Sequence, residues 1–293
     1  MVDASTQPEP HTTTPTGLTL VTGSSGNVGG PLLDALRQRG CAAIGTHQGS
    51  GRTDGRGRLL DFYQPATFAA ALDGVDRVFL MRPPPISDTK RYIRPFIEAM
   101  VSAHVEHVVF LSLMGVNRVM PHWQIEKDLR DSGMTWTMLR PAFFSQNLGG
   151  AYLADIRDHD RIRLASGNGR TSFIDARDIA DVAALALGSP GEHGDKEYTL
   201  TGPEAISYHE VASRLSAALA RPIRYEPIGL LRYRRELHAA GLPSDYVRVQ
   251  LLINAIAKLG LAAKVTNEMT TLLQRPSRTL QTYISDHRDL FNR

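Results

Sequence analysis

Val21-Thr22-Gly23-Ser24-Ser25-Gly26-Asn27-Val28-Gly29 joins a short apolar run, Leu18 to Val21, to an amphipathic stretch from Val28 to Arg39. A glycine-rich turn in this position is a ready anion site. The first N–H groups of a helix have no intrahelical acceptor, and the positive end of its dipole faces the turn. Gly23 permits the tight turn, Gly26 lets the backbone approach a phosphate, and Gly29 lets the helix pack closely. The helix itself is well specified: Val28, Leu32 and Leu36 share one face, Pro31 is tolerable in the first turn, and Gly40 stands where a left-handed terminating residue is wanted. The stretch therefore predicts a Rossmann-type unit that holds the pyrophosphate of a dinucleotide through Gly23, Ser25, Gly26, Asn27 and Val28. A turn with no ligand is the plainer reading, and the strand-turn-helix placement speaks against it.

Outward from this turn the chain alternates apolar runs with amphipathic stretches. Strands are expected at Ala42 to Thr46, Arg77 to Met81, His107 to Leu113 and Thr135 to Leu139, with helices at Pro65 to Leu72, Thr89 to Ala103 and His122 to Asp131. That rhythm predicts an α/β, doubly wound parallel sheet of five or six strands over residues 17–150. From residue 151 to 293 strand signals thin out, and a smaller, mainly helical substrate-binding part is expected. There Ser207 and Glu210 form a capping box ahead of Val211, Leu215 and Leu219. A last helix from Thr279 turns Leu280, Ile284, His287 and Phe291 inward. Segments near 171–187 and 198–203 read as a helix and an edge strand that return to the sheet. Residues 1–16, rich in Thr and Pro, read as a disordered tail, with neither the basic start nor the apolar run of a signal peptide.

Composition excludes several classes. The 33 basic and 30 acidic residues are spread along the chain, so the net charge of +3 argues against a nucleic-acid surface. The single cysteine, Cys41, can form neither an internal disulfide nor a metal cluster, which fits a reducing cytoplasm and no metal. No stretch suggests a membrane anchor. The sequence leaves a homodimer open.

The glycine spacing is Gly-x-x-Gly-x-x-Gly, and with it the chain resembles the short-chain dehydrogenase/reductase superfamily. Further motifs sharpen the likeness: Asp73-Gly-Val-Asp-Arg-Val-Phe-Leu80, His107-Val-Val-Phe-Leu-Ser112, His122-x-x-x-Glu126, Leu139-Arg-Pro-Ala-Phe-Phe-x-Gln-Asn147, Phe173-Ile-Asp-Ala-Arg-Asp-Ile179 and Thr199-Leu-Thr-Gly-Pro203. Together they resemble the NmrA-like branch of atypical members over residues 17 to 293. The resemblance implies a nicotinamide cofactor and activities that range from quinone and azo reduction to non-catalytic redox sensing. It further implies that Asp61 and Phe62 contact the adenine, that Met81, Arg82 and Pro83 pass the nicotinamide ribose, and that Pro141 and Phe143 join the cofactor contacts. Where the family usually carries Arg or Lys, this chain has Gln48.

An NAD-preferring site places a carboxylate after the second strand. None is present in Thr46-His-Gln-Gly-Ser-Gly-Arg52-Thr-Asp-Gly-Arg56-Gly-Arg58 before the arginines begin, and a guanidinium suits a 2′-phosphate. NADP(H) is therefore expected, with Arg52 as the clamp; the alternative is that these arginines only solubilise the loop.

None of the nine tyrosines is followed four residues later by lysine, so the Tyr-x-x-x-Lys acid of ordinary superfamily members is missing. Ser112, at the carboxyl end of its strand, is one candidate to touch a substrate oxygen or the nicotinamide amide. His122 is the other, with Glu126 one helical turn on to orient the imidazole or raise its pKa; a surface His-Glu pair is the competing reading. Met114, Trp123, Phe144 and Asn147 are expected to line an aromatic-faced pocket, although one of Phe143 and Phe144 can equally be core. Asp175 and Asp178 cap a helix. These residues favour an NADPH-dependent reductase of quinone-like, conjugated aromatic molecules. A redox-sensing regulator and a secondary-metabolite reductase or isomerase are the alternatives.

Overall fold

The computed structural model describes residues 17–49 and 57–293. The expected tail, Arg52 and Arg56 lie outside the described residues.

Among the described residues twelve strands form, in chain order β1 (Leu18–Val21), β2 (Ala42–His47), β3 (Gly57–Leu59), β4 (Val75–Met81), β5 (His107–Leu111), β6 (Thr135–Pro141), β7 (Phe143–Phe144), β8 (Arg161–Leu164), β9 (Arg170–Ile174), β10 (Lys196–Leu200), β11 (Ala205–Ser207) and β12 (Arg224–Pro227). Seven make one parallel sheet in the order β10-β6-β5-β4-β1-β2-β3. Strand order reverses between β1 and β4, and such a switch point opens a crevice at the carboxyl ends of the strands. The sheet is one strand wider than expected because β3, three residues in a Gly- and Arg-rich segment, carries too little alternation to read.

Helices cover both faces. On one side α1 (Gly29–Gln38) packs with α7 (Ala176–Gly188), burying Leu32, Leu36, Ile179 and Ala183 against Val21, Phe79, Val109 and Leu139. On the other, α2 (Phe68–Leu72), α3 (Thr89–Tyr92), α4 (Arg94–Ser102) and α5 (Pro121–Asp131) approach Leu20, Leu80, Phe110 and Met138. The helix expected over Thr89 to Ala103 is broken in two. Pro95 cannot donate to the carbonyl four residues back, and its ring collides there, so it is accommodated only in the first turn of α4.

α7 lies on α1, and β10 pairs with β6 through Tyr198↔Leu139. The remainder, with α6 (Leu153–His159), α8 (Pro190–His193), α9 (Tyr208–Leu219), α10 (Leu230–Ala239), α11 (Ser244–Lys258), α12 (Glu268–Leu273) and α13 (Leu280–Asp286), is largely helical. It also holds two small sheets, β11-β9-β7 and β12-β8, whose strands of two to five residues are too short for periodicity to reveal. The capping box is present: Ser207 Oγ accepts from Glu210 N at 3.3 Å while Glu210 Oε2 accepts from Ser207 N at 2.8 Å. Leu280, Ile284 and Phe291 are buried as expected, whereas His287 is only half-buried and stacks on Tyr283 with ring centroids 4.5 Å apart.

Candidate active site

The turn after β1 is built as its glycines require. Gly23 has φ +63°, and a side chain there would also strike Met81, 2.3 Å from its methyl carbon. A Cβ on Gly29 would lie 2.3 Å from the Gly23 carbonyl oxygen, so α1 can approach the turn only without one. Thr22 locks the turn to the switch point: its N–H and Oγ1 both donate to Phe79 O at 3.0 Å, and Oγ1 accepts from Met81 N at 2.8 Å. Ser24 Oγ donates to Thr46 O at 2.7 Å and ties the turn to β2. Ser25, Gly26 and Asn27 stay exposed, and among the described residues no acceptor takes the N–H groups of Ser25, Asn27 or Val28. Free amides at a helix start, beside a position without a side chain, fit the pyrophosphate of a dinucleotide. Thr22 and Ser24 escaped the sequence reading because their partners lie on strands 22 and more residues away.

The 2′-phosphate candidates separate. Gln48 is exposed directly after β2. Arg58 turns away, its Nη1 donating to the carbonyls of Ala71 at 2.9 Å and Asp73 at 2.5 Å, where it caps α2. Asp61 is occupied by its own turn, accepting from Tyr63 N at 2.9 Å and Gln64 Nε2 at 2.8 Å. The Phe62 ring is buried edge-on against Phe96, centroids 5.3 Å apart.

At the carboxyl ends of β5 and β6 lies a buried ionic knot. Glu126 on α5 is 1% exposed. Ser112 Oγ donates to its Oε1 at 2.6 Å, Arg140 Nε to Oε1 at 2.9 Å, Arg140 Nη2 to Oε2 at 2.6 Å, and Arg130 Nη2 to Oε2 at 3.0 Å. Both arginines also pair with Glu197 on the edge strand β10. Burial pushes the Glu126 carboxyl up, but the hydrogen bonds from Arg140 and Ser112 outweigh it and hold the group below its ordinary range. The Ser112 hydroxyl hydrogen is thus committed to a carboxylate, and its lone pairs remain free to accept.

The expected His122–Glu126 pair does not form. Glu126 points to the strand ends, and the His122 ring sits over Phe110, centroids 6.1 Å apart, with Nδ1 buried and unpartnered. Burial, and then the charge of Arg82, push its pKa down to about 3 against a weaker upward pull from Glu126. The pKa is lowered rather than raised, because desolvation of an imidazolium outweighs a carboxylate already neutralised by two guanidinium groups.

Met81, Met114 and Phe144 pack, half-buried, against one core cluster, that of α1 and α7. Met114 N donates to Pro141 O at 2.9 Å, which joins the ends of β5 and β6. Phe143 takes the core role: its ring stacks on Tyr152 at 6.3 Å and meets Phe173 edge-on at 5.6 Å. Trp123 lies under the Arg118 guanidinium, 6.0 Å from its ring centroid, and Asn147 ends a short 3₁₀ turn, Ser145–Asn147. Pro83 O, in the loop after β4, accepts from Arg82 Nη1 at 3.1 Å. Asp175 caps α7, its side chain accepting from Arg177 N at 2.9 Å, whereas buried Asp178 is held by Arg275 and Arg278.

Fold and turn together define a nucleotide-binding α/β protein of the Rossmann type. Residues 23–190 match the family model described as NAD(P)H-binding. The chain belongs to this NAD(P)H-binding family and is at that level an NAD(P)H-dependent oxidoreductase. It is 32% identical to the NAD(P)H azoreductase of Xenophilus azovorans, over 93% of this chain and 98% of that protein. Its fold is similar to that of the NADPH-dependent quinone oxidoreductase of Escherichia coli solved with NADPH, with TM-score 0.81, 22% identity and coverage of 92% and 99% of the two chains. It is also similar to the triphenylmethane reductase of Citrobacter sp. solved with NADP(H), at TM-score 0.79, 20% identity and coverage of 92% and 99%. Among the described residues no helix is long and apolar enough to cross a membrane, and no group of side chains could hold a metal ion.

Proposed function

We propose that the chain is an NADPH-dependent reductase that delivers hydride to a quinone-like or other conjugated, electron-poor aromatic small molecule. The observation that carries this reading is the state of the two candidate proton donors. Ser112 has its hydrogen on Glu126, and His122, half-buried with its Nδ1 out of reach of water, is neutral at physiological pH. A site so equipped gives little acid assistance, which suits an acceptor whose conjugation takes up the incoming electron pair. When bound, the nicotinamide supplies the hydride. The free amides of Ser25, Asn27 and Val28 hold the pyrophosphate, Ser112 accepts from the carboxamide or from the acceptor, and Met81, Met114 and Phe144 give the ring an apolar surface from which water is excluded. Residues 151–293, joined to the sheet near Phe144 and Asn147, cover the acceptor. The absence of a carboxylate at the end of β2 supports NADPH over NADH.

The test is steady-state oxidation of NADPH against a panel of quinones, azo compounds and aromatic ketones. Turnover with at least one quinone-like acceptor is expected. Tight NADPH binding with no oxidation above background across the panel would replace this reading with a cofactor-sensing regulator.

A further inference from the structure

Arg82 follows Met81 at the end of β4, and Met81 is the register partner of Leu111 on β5, so Arg82 and Ser112 leave the sheet side by side. Alternation along β4 puts Arg82 on the face of Leu80 and Phe110, the face covered by α5 and its His122. Its Nη1 donates to three backbone carbonyls, Pro83 at 3.1 Å, Pro84 at 3.0 Å and Ile86 at 2.6 Å. Neutral carbonyls fix the group in place without cancelling its charge. Among the described residues no carboxylate pairs with Arg82 and no acceptor takes Nη2, and Nε is buried without a partner. Arg130 on α5 and Arg140 on β6, two strands over, share two carboxylates. Partial burial lowers the Arg82 pKa, as expected of a half-buried cation with no carboxylate beside it.

A fixed guanidinium with an unsatisfied N–H is suited to an oxygen that acquires negative charge during the reaction. It is equally unsuited to a neighbouring cation. We propose that Arg82 sets the acceptor class: it stabilises the oxygen anion produced when a neutral quinone takes up hydride, and it disfavours conjugated acceptors that are already cationic. This rests on the reductase reading. A quinone that gains a proton and two electrons as hydride becomes a hydroquinone monoanion, while the C–H bond of the dihydronicotinamide breaks and NADPH becomes NADP⁺. A solvent proton then completes the hydroquinone. A cationic triarylmethane dye gains the same hydride and ends neutral, so it has no anion for Arg82 to hold.

The experiment compares wild type with Arg82→Met, which keeps most of the stem, and with Arg82→Lys, which keeps the charge. Three quantities are read: kcat/KM for 1,4-naphthoquinone and for malachite green, NADPH affinity by fluorescence titration, and binding of 4-nitrophenolate to the NADP⁺ complex by difference absorbance. Wild type should favour the quinone. Arg82→Met should lower the quinone-to-dye ratio by about 100-fold and weaken phenolate binding at least about tenfold, with Arg82→Lys between the two; a loss of NADPH affinity would bear on both acceptors alike and leave the ratio unmoved. Equal losses with both acceptors together with weakened NADPH binding would make Arg82 a cofactor contact and overturn the proposal. So would a wild-type preference for the dye, or phenolate binding that ignores the substitution. If Arg82→Met does not fold, Arg82→Gln provides the neutral arm. Failure of wild type to reduce any acceptor sinks the reductase reading instead, and the phenolate measurement still decides whether Arg82 attracts an anion.

Discussion

Replacing Glu126 by glutamine keeps the shape of the buried side chain and removes its charge. The carboxylate accepts four hydrogen bonds, one from Ser112 and three from the guanidinium groups of Arg140 and Arg130. A carboxamide offers one acceptor oxygen, and its NH₂ would face guanidinium donors, so at least one contact turns from attractive to repulsive. Each charge-assisted bond contributes about 1.5–3 kcal/mol, and removing one partner of a buried ion pair costs about 3–5 kcal/mol. Because the arginine side chains remain 22% and 32% exposed and can turn toward water or Glu197, the lower end applies, about 3 kcal/mol. Urea denaturation at neutral pH measures it as a lower midpoint with unchanged slope. A double-mutant cycle with Ser112→Ala should give a coupling energy of about 1–2 kcal/mol, since the two residues share one short bond. A loss below about 1 kcal/mol for Glu126→Gln, with no coupling to Ser112, would mean that the knot is not the anchor of the β5 and β6 ends that its geometry suggests.

Burial brings His107 down to about 4, aided by the charges of Arg77 and His193, so its neutral form is the folded form. The His107 contribution to stability should therefore be complete above pH 6.5 and be lost below it by up to about 1.4 kcal/mol per unit as pH approaches 4, alongside a contribution of the same sign from His122; His107→Gln, followed by urea titration at pH 7.5 and 5, should lessen the overall slope by that amount, and an unchanged slope would refute the assignment. Gly26→Val should abolish NADPH binding in calorimetry while the chain stays folded, because its Cβ meets only the Gly23 carbonyl, at 3.2 Å. Gly29→Ala should instead displace the turn and lower the melting temperature, and the reverse pattern would place the phosphates elsewhere. NADPH should bind more tightly than NADH, with Arg52→Ala narrowing the gap by about 1.5–3 kcal/mol; equal affinities in wild type would remove the 2′-phosphate assignment. Phe144→Ala should raise KM for a quinone and leave NADPH affinity near wild type, and an unaltered KM would take the ring out of the acceptor site.

The glycine turn was legible because its spacing states backbone constraints directly. Gly23 carries a positive φ, and Gly29 leaves no room for a Cβ, so one short peptide encodes its own geometry. The main strands followed from their apolar runs, whereas β3, the strands of two and three residues, and the Pro95 break fell below that resolution. The site was less legible for a different reason. Helical spacing makes His122 the natural partner of Glu126, yet in the structure that carboxylate belongs to Ser112 and Arg140, 14 residues away on either side and delivered by two strands. All four residues stand within the quoted motifs; their pairing does not. Phe143 and Phe144 show the same limit, since adjacent residues in extended backbone point to opposite sides and one ring enters the aromatic core while its neighbour faces α1 and α7. Local spacing therefore identifies which residues matter, and the sheet decides which atoms meet. Arg82 follows from that division: as a sequence feature it belongs to a loop, and only the register of β4 on β5 brings its unpaired charge beside Ser112.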